Sequence, residues 1–367
     1  MYDYVIVGSG LTGATFAHLA KESGKSCLVI DKRDHIGGNC YTQKIEGINV
    51  HVYGPHIFHT SDKKVWQFIN RFSEFNHYVN RPKAVSGGRI FSFPINMMTL
   101  YQLWGVETPD QAKKKLNEVT EEYVRKYPNP RNMEEWALTQ VGKDIYEMFV
   151  HGYTTKQWKR EPSSLPASIL KRLPIRLTWD DNYFEDCYQG IPKDGYTKIF
   201  ENMLDGIEVK LSVDFFKEKS SLEKLGKKIL YTGCVDRLYD YKFGPLEYRT
   251  LKFETRIEDV DDFQGNAIFN YCDLSVPWTR RIEHKHFEFA SGKKSVITTE
   301  TPAEWTNDSV PYYPINDSNN NSVYEKYESL SKKDSKYIVA GRLGRYKYYD
   351  MHQALAAAIK LFNDQTK

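Results

Sequence analysis

Tyr4-Val5-Ile6-Val7-Gly8-Ser9-Gly10-Leu11-Thr12-Gly13-Ala14 stands almost at the start of the chain and decides how its first half is read. An apolar run of strand length passes straight into Gly8-x-Gly10-x-x-Gly13, and Phe16, Ala17, Leu19 and Ala20 follow at helical spacing. The order is strand, tight turn, helix. In such a unit Gly8 permits the turn, Gly10 lets backbone amides approach a pyrophosphate, and Gly13 lets the helix pack on the strand. The helix N-terminus adds N–H donors and a partial positive charge. A second apolar strand, Cys27-Leu28-Val29-Ile30, ends in Asp31. That is roughly the twenty-residue offset at which an acid accepts from ribose hydroxyls and repels a 2′-phosphate.

The continuation separates flavin from nicotinamide binding. Asp31-Lys32-Arg33-Asp34-His35-Ile36-Gly37-Gly38-Asn39-Cys40-Tyr41-Thr42 carries a second glycine pair just past the acid. This resembles the extended fingerprint of glutathione-reductase-type and amine-oxidase-type flavoproteins, with Gly8, Gly10, Gly13, Ala17, Gly24, Asp31, Gly37, Gly38 and Thr42 matching. Ala20 stands where that pattern usually has Leu and Asn39 where it commonly has Arg. The resemblance implies an α/β fold with an FAD-binding Rossmann-like domain.

Composition narrows the remaining classes. A chain of 367 residues is long for one core and suggests two or three domains. A net charge of +3 creates no field that would argue for nucleic acid or a membrane surface, and Lys113-Lys114-Lys115 reads as a solvated helix face. The five cysteines are scattered without a CxxC, so a reducing compartment fits and a redox disulfide does not. No apolar run reaches membrane-spanning length and no basic leader precedes the first strand, so a cytoplasmic protein is expected.

Taken in order, the chain next presents Gly54-Pro55-His56-Ile57-Phe58-His59-Thr60. Two histidines three apart invite a metal, but no third ligand cluster accompanies them; a loop presenting imidazoles to a cofactor is the better reading, and no metal is expected. Lys63 to Phe75 reads as an amphipathic helix, and Tyr78 to Pro94 as a hairpin turning at Ser86-Gly87-Gly88. Helical periodicity dominates from Asn96 to Trp158. The segment 160–176, rich in proline, serine and cations, could be a mobile lid. Strands are expected over Ile207 to Val213, Lys228 to Thr232, Tyr248 to Phe253, Ala267 to Tyr271, Thr279 to Phe289 and Ser295 to Glu300, and a polar loop over Asn316 to Ser322. Tyr337 to Gly344 followed by Asp350 as N-cap and an apolar helix from Ala354 to Phe362 returns to the strand, glycine, helix pattern.

A discontinuous cofactor domain (1–78, 190–240 and 330–367) follows, with a helical domain (96–178) and an antiparallel-sheet substrate domain (79–95, 179–189 and 241–329). Arginines and aromatics recur outside the fingerprint: Tyr153, Trp158, Arg172, Tyr183, Arg280, Tyr312, Tyr313, Arg342 and Tyr348. Guanidinium groups grip phosphate in pairs of hydrogen bonds, and tyrosines donate to phosphate or stack on a base. The residues alone therefore point to a flavoprotein with an anionic, nucleotide-linked substrate.

Several further segments resemble the family of bacterial UDP-galactopyranose mutases over nearly the whole chain. They include Gly54 to Thr60, Tyr153-Thr154-Thr155-Lys156-Gln157-Trp158, Lys171-Arg172-Leu173-Pro174, Asp181-Asn182-Tyr183-Phe184, Leu246-Glu247-Tyr248-Arg249, Pro311-Tyr312-Tyr313-Pro314 and Gly341-Arg342-Leu343-Gly344 with Tyr348 and Asp350. The resemblance implies a cytoplasmic homodimer that interconverts UDP-galactopyranose and UDP-galactofuranose for surface polysaccharide synthesis. FAD would be active only when reduced, through a covalent adduct between flavin N5 and the sugar. It further implies UDP-sugar contacts from Asn80, Phe149, Tyr153, Thr154, Trp158, Arg172, Tyr183, Asn270, Arg280, Tyr313 and Tyr348. Cofactor contacts would come from Gly8, Gly10, Gly13, Asp31, Lys32, Gly38, Asn39, His56, Arg249, Gly341, Arg342, Tyr348, Asp350 and Met351, and catalytic roles from Arg172, Arg280, His56, His59 and Arg342. The competing reading is an amine-oxidase-like oxidoreductase, which the arginine and tyrosine clustering disfavours.

Overall fold

The structure, a computed structural model, describes residues 1–167, 175–306 and 309–366. It divides into two compact units, Met1–Tyr78 with Asp186–Arg249 and Asn307–Lys367, and Val79–Glu185 with Thr250–Thr306. The helices and the antiparallel strands that the sequence assigns to separate domains thus share one unit.

The first unit is built on a five-stranded parallel sheet in the order Tyr337–Val339, Gly226–Tyr231, Tyr2–Val7, Cys27–Ile30, Glu208–Lys210. Every residue of Cys27–Ile30 is buried, as expected of a parallel strand covered on both faces. The helix Leu11–Glu22 packs against the C-terminal helix Met351–Gln365, where Phe16 meets Phe362 edge to face at 5.4 Å. The expected strand at Ile207 to Val213 shortens to Glu208–Lys210, and the helix expected to reach Phe75 ends at Ile69.

The second unit carries a sheet in the order Thr250 to Glu258, Ser295–Ala303, Arg280–Glu283, Ile268–Tyr271, Lys83–Ser86, Arg89–Ser92. It is antiparallel except where Ile268–Tyr271 runs parallel to Lys83–Ser86. The turn at Gly87-Gly88 closes the hairpin with Ser86 opposite Arg89, as the sequence predicts. Met97–Trp104, Pro109–Lys126 and Met133–Ile145 form the helical layer, followed by a π-helical stretch over Tyr146–His151 and the helix Gly152–Trp158.

Two further expectations fail. The strand predicted over Thr279 to Phe289 stops at Glu283, and His284–Phe287 turns into a 3-10 helix. The polar segment Asn316 to Ser322, expected as a loop, instead starts the helix Ser318–Ser331, because the Asp317 side chain caps it by accepting from Asn320 N. Asn320 itself is buried and donates to Glu247, which supplies the tertiary anchor that the polar sequence did not reveal.

Candidate functional site

In a doubly wound sheet ligands bind beyond the C-terminal ends of the strands. The first strand here delivers Gly8 to that edge, the second Asp31, the strand Gly226–Tyr231 Thr232, and the last strand Gly341. Gly8 has φ +109°, and a Cβ there would meet Thr232 Oγ1 at 2.1 Å. One on Gly13 would meet Gly8 O at 1.9 Å. Gly10 and Gly38 face each other so closely that a Cβ on Gly38 would lie 2.9 Å from Gly10 Cα. Two glycine loops therefore form a side-chain-free cradle at the N-terminus of Leu11–Glu22, a fit for a dinucleotide pyrophosphate.

Asp31 is buried; its Oδ2 accepts from Ser9 N at 2.8 Å and Ser9 Oγ at 2.7 Å, and its Oδ1 from Arg33 N at 3.0 Å. Three donors leave one acceptor site of the carboxylate for a ribose hydroxyl. Asn39 accepts from Arg33 Nη2 at 2.8 Å, and Arg33 lies over the Tyr53 ring at 4.3 Å. The departure at Asn39 is thus a partner for Arg33, whereas Lys32 is exposed. Met351 touches Cys40, Sδ to Sγ 3.7 Å, and burial pushes the Cys40 thiol up to about 12.

His56 bonds to Gly54 O at 2.8 Å through Nδ1 and donates its backbone N–H to His51 Nδ1 at 3.1 Å. His59 sits on a strand paired with Tyr188–Gly190, and its Nδ1 lies 2.5 Å from Asp186 Oδ2. Ser61 Oγ donates to the other oxygen at 2.6 Å. Burial opposes ionisation of Asp186, but Ser61 and His59 together hold its carboxyl below the ordinary range. His352 meets His59 at 4.8 Å between ring centroids, and burial followed by the neighbouring His59 lowers the His352 pKa. The fold therefore brings His352 and Asp350 to His59, a ligand-type cluster that the sequence spacing does not contain.

Arg342 donates to Tyr312 O at 3.2 Å and Tyr349 O at 2.5 Å. Its guanidinium lies 5.1 Å from the Tyr348 ring centre and 6.0 Å from that of Tyr313, and these two rings stack at 5.4 Å. Among the described residues both of its side-chain hydrogen bonds go to carbonyls, which leave its charge uncancelled. Arg249 is buried and pairs across strands with Tyr313. Asp350 precedes Met351–Gln365, and its N–H donates to Gln353 Oε1 at 3.0 Å.

In the second unit a polar row crosses the sheet. Asn270, Arg280 and Glu300 are directly opposite one another on three neighbouring strands, so their side chains share a face. Arg280 Nε donates to Asn270 Oδ1 at 3.3 Å, Nη1 to Glu300 Oε2 at 3.5 Å and Nη2 to the Tyr153 hydroxyl at 3.3 Å. Burial raises the Tyr153 phenol to about 12 despite the neighbouring Arg280. Glu300 is 1% exposed and also accepts from Thr279 Oγ1 at 3.2 Å. Tyr183 N–H donates to Asn80 O at 2.8 Å, and Arg176 reaches the carbonyls of Asn182 and Tyr183. Thr154 is buried in the same helix as Tyr153 and Trp158. Phe149 lies in the apolar core, edge to face with Phe91 at 5.0 Å. Arg172 lies outside the described residues, as does most of the C-terminal part of the segment 160–176.

Sequence reasoning missed Ser9, Asp186 and Glu300. Ser9 occupies a free position of the glycine motif, and Asp186 and Glu300 reach their partners only through strand pairing, so no spacing along the chain signals them.

Comparison with known proteins places the chain in a family. The family model for UDP-galactopyranose mutase matches residues 148–348, and one for NAD(P)-binding Rossmann-like domains matches 6–72. The dTDP-fucopyranose mutase of Escherichia coli is 41% identical, over 98% of this chain and 97% of its own. A probable UDP-galactopyranose mutase of Klebsiella pneumoniae is 42% identical, over 98% of this chain and 93% of its own. The crystal structure of a reduced UDP-galactopyranose mutase superposes with a TM-score of 0.75 at 15% identity, over 100% of this chain and 96% of that one.

Proposed function

The chain belongs to the UDP-galactopyranose mutase family, and from that premise we propose that it interconverts UDP-galactopyranose and UDP-galactofuranose with reduced FAD. The observation that carries this reading is the Arg280 row. A cation flanked by Asn270 and Tyr153 and backed by a buried acid is a preorganised receptor for a diphosphate. Arg280 would hold UDP both in the bound nucleotide sugar and while its bond to the sugar is broken. Arg172, known from the sequence alone, would supply the second charge. Tyr153 and Trp158 would receive the uridine, with Phe149 and Thr154 behind them; Asn80 and Tyr183 would lie toward the sugar and phosphates, and Tyr313 and Tyr348 would donate to the diphosphate.

FAD would rest on Gly8, Gly10, Gly13 and Gly38 through its pyrophosphate and on Asp31 through its ribose. Arg249, Gly341, Arg342, Asp350 and Met351 would take the remaining edge. Reduced flavin, when bound, supplies a nucleophilic N5 for the anomeric carbon. Arg342 would favour that state, because a cation beside the ring's pyrimidine edge stabilises negative charge. His56 and His59 would present imidazoles to the cofactor, the latter with its Nδ1 held by Asp186. No helix among the described residues is long and apolar enough to cross a membrane, and the five cysteines are unpaired. A cytoplasmic homodimer is the setting we propose.

A second reading has a specific observation behind it, the 41% identity to the Escherichia coli protein named for dTDP-fucopyranose. Incubation with UDP-galactose and, separately, dTDP-fucopyranose, each with dithionite or in air, decides between them. Furanose formation from UDP-galactose under dithionite alone is expected. Preferential turnover of the dTDP sugar would move the substrate, and turnover of neither would overturn the mutase reading of the site.

A further inference from the structure

Lys156 lies on the helix Gly152–Trp158, one turn past Tyr153, and is only 6% exposed. Its ammonium donates to three backbone carbonyls, Tyr271 O at 2.7 Å, Val276 O at 3.0 Å and Trp278 O at 3.0 Å. An ammonium has three donors, and all are used. Among the described residues no carboxylate accepts from it directly; its hydrogen bonds all end on peptide carbonyls, with Asp273 acting on the charge without a direct bond. A buried cation with no directly bonded carboxylate is a costly way to fix a loop, and the loop it fixes is specific. The three carbonyls lie on the turn between Asn270 and Arg280, closed at its base by Tyr271 N to Thr279 O at 2.9 Å.

An independent feature points the same way. A Cβ on Gly152 would lie 2.2 Å from Cys272 O, so this helix can rest against the turn only with glycine there. The turn is also tied on its other side. Cys272 N donates to Val85 O at 2.8 Å, and Asp273 accepts from Gly87 N at 2.9 Å. Lys156 closes the remaining side.

We propose that Lys156 is a positioning residue for nucleotide binding: its buried ammonium clamps the turn 271–279 to the helix of Tyr153, so that Tyr153, Asn270 and Arg280 are presented as one rigid donor set. The clamp acts on two strands at once, since Asn270 ends one arm of the turn and Arg280 begins the other. It rests on the reading that these three residues bind the nucleotide diphosphate.

The test measures UDP affinity and steady-state kinetics for Lys156→Met, Lys156→Gln, Gly152→Ala and Arg280→Ala, with Lys114→Ala as control. Lys156→Met should weaken UDP binding by about tenfold or more and raise KM for UDP-galactose in parallel, with kcat reduced far less. Lys156→Gln, which keeps two donors, should lie between Met and wild type, and Gly152→Ala should resemble Lys156→Met. Flavin content should not change. Normal UDP affinity in folded Lys156→Met alongside its loss in Arg280→Ala would overturn the clamp. Normal UDP affinity in Arg280→Ala would instead overturn the binding reading beneath it.

Wild-type protein offers a measurement that needs no variant to fold. Burial lowers the Lys156 pKa to about 8, opposed by Cys272 and Asp273 and aided by Lys159. Cys272 stays a thiol to about 12, so the ammonium is the group in this contact that loses a proton as pH passes 8. A neutral amine has one N–H fewer and turns a lone pair toward a carbonyl. UDP affinity should therefore fall as pH rises from about 7 to 9.

Discussion

Gly13 shows how little freedom a single residue has at the cofactor edge. Because a Cβ there would meet Gly8 O, a backbone atom of the same turn, at 1.9 Å, Gly13→Ala must push the helix off the strand. The variant should lose bound FAD and fall in stability by more than about 2 kcal/mol, measured by flavin absorbance after purification and by thermal unfolding. Arg342 is the opposite case, a residue whose surroundings leave its charge available. Its two side-chain hydrogen bonds among the described residues end on carbonyls, so removing it leaves no carboxylate stranded. Arg342→Ala should lower the flavin reduction potential and slow turnover under dithionite, while UDP affinity stays within about twofold of wild type. A potential equal to that of wild type would confine Arg342 to holding the loop at Tyr312 and Tyr349.

At the scale of elements, the helix Ser318–Ser331 depends on contacts that its composition hides. Its cap is Asp317, whose Oδ1 accepts from Asn320 N at 2.9 Å and Asn320 Nδ2 at 2.9 Å. Asp317→Ala should cost about 1 kcal/mol in urea unfolding, within the usual range for a lost N-cap. An effect below about 0.3 kcal/mol would mean that Asn320 and its Glu247 contact anchor the helix unaided. The break in Met133–Ile145 is similarly set by one position. Gly142 has φ +71°, and a Cβ there would lie 2.7 Å from Val119 Cγ2, so the bend is fixed by the neighbouring helix and not by propensity.

For the whole molecule, the pH dependence of stability follows from Glu283 and His286. Glu283 is completely buried; its carboxylate accepts from Phe263 N at 2.9 Å, Gln264 N at 2.8 Å and Ser295 Oγ, and its Oε2 lies 3.4 Å from His286 Nε2 as an ion pair. Burial alone would raise its pKa, but His286 and these donors hold it at about 2. A depressed carboxyl contributes stability that is complete above its ordinary value of 4.5 and is lost as pH falls toward 2. His286, raised chiefly by the neighbouring Glu283 carboxylate, contributes below its ordinary 6.5 and loses that contribution as pH rises through its folded value. The melting temperature should therefore be highest near pH 5 to 6 and fall toward pH 3, and Glu283→Gln should flatten the acid limb. Superimposable acid limbs would remove Glu283 from that account. The purified protein should also be yellow, with its FAD released by acid precipitation, because the glycine cradle offers no covalent anchor.

The sequence by itself determined what depends on neighbours along the chain. The glycine fingerprint, the apolar strands Tyr2–Val7 and Cys27–Ile30, the Gly87-Gly88 turn and the Asp350 start of the last helix all follow from periods and turn chemistry within a dozen residues. The matched motifs carried the family as well, because a long set of short identities is specific even when each is weak. Tertiary structure alone decided what depends on pairing between distant strands. Glu300 lies behind Arg280, Asp186 beside His59 and Lys156 beneath the turn 271–279, through partners 20, 127 and at least 115 residues away. A polar segment becomes the helix Ser318–Ser331 for the same reason, since Asn320 is anchored by Glu247. A hydrogen bond is read in the distance between two atoms, and that distance is set by packing, which no local pattern encodes.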